Sequence, residues 1–133
     1  MIQNRRDFIK TVGLIYGSIL LTPSCSAFSG THYRVFTREE ADCLTAVCEQ
    51  IIPADIDPGA TDANVIGFID KQTHVRFPDD LKIYQQGIIS LQAFCQSEYG
   101  KLFEKLDRTI QERILKMVEQ NKLPEEYWGK IGG

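Results

Sequence analysis

The sequence lacks the usual cradles for a cofactor. It has no Gly-x-Gly-x-x-Gly, no Walker loop and no Gly-x-Ser-x-Gly elbow. A nucleotide phosphate therefore has no glycine-rich turn to rest on, and a serine nucleophile has no sharp turn to stand on. Histidine is scarce: His32 and His74 stand apart, with no His-x-x-x-His or Glu-x-x-His pair near either, which argues against a metal centre. Cys25, Cys43, Cys48 and Cys95 form no Cys-x-x-Cys pair and no zinc spacing. No stretch alternates polar and apolar residues over a useful length, so no sheet is expected. Charge of one sign is also missing. The net charge is −3 over 133 residues, and scattered Lys and Arg on a mildly acidic chain make a poor nucleic-acid binder.

What is present begins at the N-terminus. In "NRRDFIKTVG", residues 4–13, the pair Arg5 and Arg6 is followed by Asp7, Phe8, Ile9 and Lys10, then by an apolar run from Val12 to Leu21. This is the shape of a twin-arginine export signal, the route by which bacteria move folded proteins across the inner membrane. The run holds about ten apolar or small residues, where a membrane span takes ~20, so residues 1–25 are read as a processed signal. Cys25 follows in "LLTPSCS", where a lipoprotein signal carries its lipidated cysteine. Ser24 suits that reading, whereas Pro23 and the position of the leucine do not. Two outcomes stay open: lipidation of Cys25, or cleavage near Ala27 that discards it. Removing the signal leaves 12 basic against 17 acidic residues, a net charge of −5, on about 108 residues, enough for one modest core.

Residues 26–36 read as a tether, and 37–133 as an all-α domain of four main helices. Thr37 and Glu40 form a capping box before Ala41, Leu44, Val47 and Ile51 at helical spacing. This predicts a helix over about 38–52, stopped by Pro53. A second helix is expected from Val65 through Phe68 to about Phe77, capped by Thr61 or Asp62. A third starts at Asp79 or Asp80, carries Tyr84, Leu91, Phe94 and Cys95, and ends near Gly100. Its Gly87 costs about 1 kcal/mol against alanine and so suggests a close helix contact. Asp107 is expected to cap a fourth, with Ile110, Ile114, Leu115 and Val118 on one face. Cys43 and Cys48 point in different directions along one helix. They and Cys95 are expected to be buried thiols, with a bridge from one of them to Cys95 as the alternative in an oxidising compartment. Tyr84, Phe94, Phe103 and Trp128 are read as core rather than as the lining of a pocket.

Between the first two helices lies "PADIDPGATDAN", residues 53–64. Asp55, Asp57 and Asp62 loosely alternate like part of a calcium loop, but no glutamate closes the set. They are read as turn and cap residues. A signal for cofactor-loaded cargo on a chain without a cofactor site has a physical resolution: this chain escorts a second, untagged subunit through the pore.

The longer stretch "CEQIIPADIDPGATDANVIGFID", residues 48–70, resembles the signature of the gluconate 2-dehydrogenase subunit 3 family. It does so at Ile51, Ile52, Pro53, Asp55, Pro58, Gly59, Ala60, Ala63, Val65, Phe68, Ile69 and Asp70. "FTREEADCLTAVCEQIIP" and "LFEKLDRTIQERILKMVEQ" resemble the family in order and spacing. The resemblance implies a non-catalytic small subunit of a periplasmic, membrane-associated dehydrogenase of sugars or sugar acids, which supports export and maturation of the catalytic subunit. It implies FAD in a partner similar to glucose–methanol–choline oxidoreductases, a cytochrome c subunit as electron acceptor, and no cofactor in this chain. The expected contact loop comprises Pro53, Asp55, Asp57, Pro58, Gly59, Ala60, Phe68 and Asp70. The expected export determinants are Arg5, Arg6 and Phe8, read by the twin-arginine translocon. Longer members continue into a glycine- and asparagine-rich segment after the last helix. The sequence here stops at Gly133, as a short variant or a truncated product. The competing reading is a stand-alone helical envelope lipoprotein that binds a ligand or a partner protein.

Overall fold

The computed structural model describes residues 32–128. The described chain is helical, with no strand: α1 (Arg38–Ile51), α2 (Val65–Val75), α3 (Asp80–Tyr99), a 3-10 turn (Phe103–Lys105), α4 (Arg108–Glu119) and a short α5 (Glu125–Trp128). No helix among the described residues is long and apolar enough to cross a membrane.

The capping box forms as the sequence implies. Thr37 Oγ1 accepts the Glu40 N–H at 3.2 Å, and Glu40 Oε2 accepts the Thr37 N–H at 2.9 Å. Two of the four orphan donors at this helix start are thereby satisfied. The helix stops at Ile51, and Ile52 leaves the helical region (φ −128°, ψ 78°) ahead of Pro53. Helix α3 ends on Gly100 at φ 66°, the left-handed cap that glycine adopts without strain.

Helix α1 is the hub, touching α2, α3, α4 and the 3-10 turn. Ala41 and Cys43 from α1, Cys95 from α3, Phe103 from the turn and Ile114 from α4 meet with no exposed surface. The buried backbone of the turn is tied down by side-chain amides. Gln92 Oε1 accepts the Phe103 N–H at 2.8 Å, and Gln111 Nε2 donates to the Phe103 carbonyl at 2.8 Å. Gln50 Nε2 in turn donates to Gln111 Oε1 at 2.8 Å, joining α1 to α4. Each bond spares a buried amide the ~1–3 kcal/mol of going unpaired, and no buried side-chain polar atom among the described residues lacks a partner. Phe94 is core, as expected, and meets Tyr127 edge-on at 5.6 Å, closing α5 onto α3.

Several expectations are corrected. Residues 32–36 are no free tether. Phe36 is buried and meets Tyr84 edge-on at 5.7 Å, while Tyr33 and Val35 pack on the core. Helix α2 is capped by neither Thr61 nor Asp62. Its N-cap is Asn64, left-handed at φ 51°, with no side-chain cap bond, because Thr61 and Asp62 are engaged in closing the loop before it. Asp107 holds the N-cap position of α4 but makes no side-chain cap bond. Gly87 marks no close helix contact, since a Cβ there would meet nothing within 4 Å. Cys43, Cys48 and Cys95 are free thiols, as expected, but only Cys43 and Cys95 are buried and Cys48 is half-buried.

Candidate partner-contact site

The loop between α1 and α2 is closed from both sides. At its neck the Ala60 N–H donates to the Ile52 carbonyl at 2.9 Å, and the Val65 N–H to the Ala60 carbonyl at 3.0 Å. Across it lies Glu49, from the last turn of α1. Oε1 accepts the Ala54 N–H at 3.2 Å, and Oε2 accepts the Thr61 N–H at 3.0 Å and the Thr61 hydroxyl at 2.7 Å. These bonds, the Thr61 hydroxyl first, hold the Glu49 carboxyl below the usual carboxylate range.

Gly59 is required by this clasp. A Cβ would stand 2.6 Å from the Ala54 nitrogen and 2.7 Å from Glu49 Oε1, and the backbone atom cannot yield. The Gly59 N–H reaches Asp62 Oδ2 at 3.3 Å. At the tip, Asp55 Oδ1 accepts the Asp57 N–H at 2.9 Å while the Asp55 N–H donates to the Asp57 carbonyl at 3.1 Å. That Asx-type turn holds out Ile56, which is fully exposed.

The residues expected to form the contact divide. Pro53, Asp55, Asp57 and Pro58 are exposed on the loop, and Phe68 is exposed on α2. Gly59 and Ala60 are buried beneath the loop. Asp70 is no surface residue: it is 4% exposed, and its carboxylate accepts backbone N–H groups from Arg34, Val35 and Phe36. It pins the segment before α1 onto α2. Arg5, Arg6, Phe8 and Cys25 lie outside the described residues.

Glu49 and Ile56 were not singled out by the sequence reading. Ile56 carried a readable signal, a large aliphatic residue between two aspartates in a loop otherwise made of turn formers. Glu49 carried none, because its partners lie 5 and 12 residues away on a turn of unknown shape.

A family model described as Gluconate 2-dehydrogenase subunit 3 matches residues 38–131, a span that includes the loop and the five described helices. The chain belongs to the gluconate 2-dehydrogenase subunit 3 family. No curated protein and no solved structure matches it. As the family's description names a subunit of a dehydrogenase, a partner enzyme subunit is implied.

Two grooves adjoin at Tyr84 in this subunit 3 chain, the first of mixed lining with Gln72, Thr73 and Asp80, the second apolar. One, about 240 Å³, lies between α2 and the start of α3 and includes Phe68 and Phe77. The other, about 210 Å³, lies among α1, α3 and α4, and Val47, Ile83, Gly87, Leu115 and Val118 line it. Reactive groups are not gathered at either. Burial first, then Glu104 and Cys95, pushes the Cys43 thiol up to about 12. Burial and then Glu104 push Cys95 up to about 11. Both thiols therefore stay protonated near neutral pH and are poor nucleophiles. Among the described residues no three His, Cys, Asp or Glu side chains converge to hold a metal ion.

Proposed function

We propose that this chain is the non-catalytic small subunit of a periplasmic, membrane-associated, flavin-dependent dehydrogenase of sugars or sugar acids, and that it carries the catalytic subunit through the export pore. The family match over residues 38–131 carries the reading. The twin arginines at Arg5 and Arg6 support the export role, since the sequence offers no glycine-rich phosphate turn to explain why this chain itself would travel folded. FAD belongs, on this reading, to a partner of the glucose–methanol–choline type, and a cytochrome c subunit takes the electrons. The closed loop and the exposed apolar side chains beside it supply a surface for the partner.

The experiment is the double substitution Arg5→Lys with Arg6→Lys in the host. The expected result is that both this chain and the flavin subunit stay in the cytoplasm. Arrival of the flavin subunit in the periplasm at the normal level would reject the escort role.

A further inference from the structure

Ile56 stands with its whole side chain in water at the tip of the hydrogen-bonded Asp55–Asp57 turn. Burying an isoleucine is worth about 1.5–3 kcal/mol, and the loop forgoes it. Ile51 and Ile52, where α1 runs into the loop, are also 69% and 51% exposed. The loop's own charges have one sign. From residue 39 to residue 70 the chain contains no Lys or Arg, and Asp55, Asp57 and Asp62 flank the isoleucine in the loop. The ion pairs of the described residues are Arg38–Asp42 and Lys116–Glu112, so among the described residues none of these three aspartates is ion-paired.

An apolar anchor at the centre of an acidic rim, on a backbone already closed by Glu49, has the anatomy of an interface hot spot. Its rigidity lowers the ordering entropy that binding would otherwise cost. We infer that the loop plugs into the dehydrogenase partner subunit. Ile56 fills an apolar pocket there whose rim carries Lys or Arg facing Asp55 and Asp57. This inference rests on the function proposed above. A second copy of the same loop is a poor occupant, because it would set aspartate against aspartate. An anionic lipid surface repels the loop for the same reason.

The test uses the complex purified from its host through an affinity handle on this chain. The partner is measured by flavin absorbance and by dye-coupled oxidation of gluconate and of glucose. Three variants are compared with wild type: Ile56→Asp, Asp55→Asn with Asp57→Asn, and Ile89→Ser, the last removing an equally aliphatic side chain that is 68% exposed on α3. Circular dichroism confirms that each folds. The expected results are at least tenfold less partner with Ile56→Asp and full retention with Ile89→Ser. The aspartate pair variant should bind more weakly, with a shallower dependence on salt. Normal retention by Ile56→Asp, with flavin subunit present on wild type, overturns the inference and leaves the proposed function standing. A wild-type chain that carries no flavin subunit overturns both. A wild-type dimer that Ile56→Asp converts to monomer also overturns the inference, in favour of self-association.

Discussion

Replacing Asp70 by alanine would remove the acceptor for a whole segment of backbone. Arg34 donates its N–H to both carboxylate oxygens, at 3.0 and 2.8 Å, Val35 donates at 3.0 Å and Phe36 at 3.4 Å. A hydrogen bond to a charged group contributes about 1.5–3 kcal/mol, and a buried donor left unpaired costs about 1–3 kcal/mol. Arg34 is exposed, so water replaces its bond cheaply. Val35 is half-buried and Phe36 buried. We therefore expect a loss of about 3–5 kcal/mol, less than the sum of the parts because the three donors share one acceptor. That is a large share of the ~5–15 kcal/mol that holds a small domain together. Asp70→Asn keeps one carbonyl oxygen but turns an amide N–H₂ towards the donors, and should lose about half as much. Urea unfolding followed by circular dichroism measures the change. Limited trypsin digestion locates it, because freeing the segment exposes the Arg34–Val35 bond to cleavage while α1 to α4 stay intact. An alanine variant within about 1 kcal/mol of wild type, with Arg34 still protected, would refute the view that this carboxylate holds the segment down.

Gly87→Ala should stabilise the domain by about 0.5–1 kcal/mol, raising Tm by roughly 2–6 °C, because the added methyl meets nothing within 4 Å. A lowered Tm would mean that the groove closes over this position. Native alkylation at pH 8 should modify the half-buried Cys48 first and leave Cys43 and Cys95 unmodified until urea is added, which peptide mass spectrometry reads directly. For Cys43 the folded-state value is raised from 9.0 to about 12, so the stability linked to its protonated thiol is complete below pH 9. It should fall as pH climbs towards about 12, and urea titrations at pH 8 and pH 10 would show the drop. Cys25→Ala should release the protein from the membrane fraction if Cys25 is lipidated. Identical fractionation of the two forms, with a mature N-terminus of unmodified mass, would reject the anchor.

Local interactions account for what was legible in advance. Thr37 and Glu40 are three residues apart, Pro53 acts on the residue before it, and Gly100 needs only its own backbone freedom. Helix ends set by such neighbours appear in the structure where the sequence places them. The helical faces of α3 and α4 were legible for the same reason, since a 3.6-residue period is a property of one segment, whereas in α1 the period also selected Ile51, which the fold leaves 69% exposed.

What the sequence left open depended on partners far along the chain. Thr61 and Asp62 have the chemistry of caps, yet Glu49 and Gly59 claim them, and Asn64 takes the cap position in a left-handed turn. Gly87 reads the same whether a helix presses on it or a groove lies open beside it. Asp70 sits in the stretch that identifies the family, and nothing local shows that its carboxylate reaches back 34 to 36 residues to hold the segment before α1. The sequence by itself determined an all-α chain, most of its helix boundaries and its family. The tertiary structure alone decided which conspicuous residues face water and which are consumed inside. A carboxylate or a glycine serves either purpose equally well until the fold brings, or fails to bring, a backbone N–H within 3 Å of it.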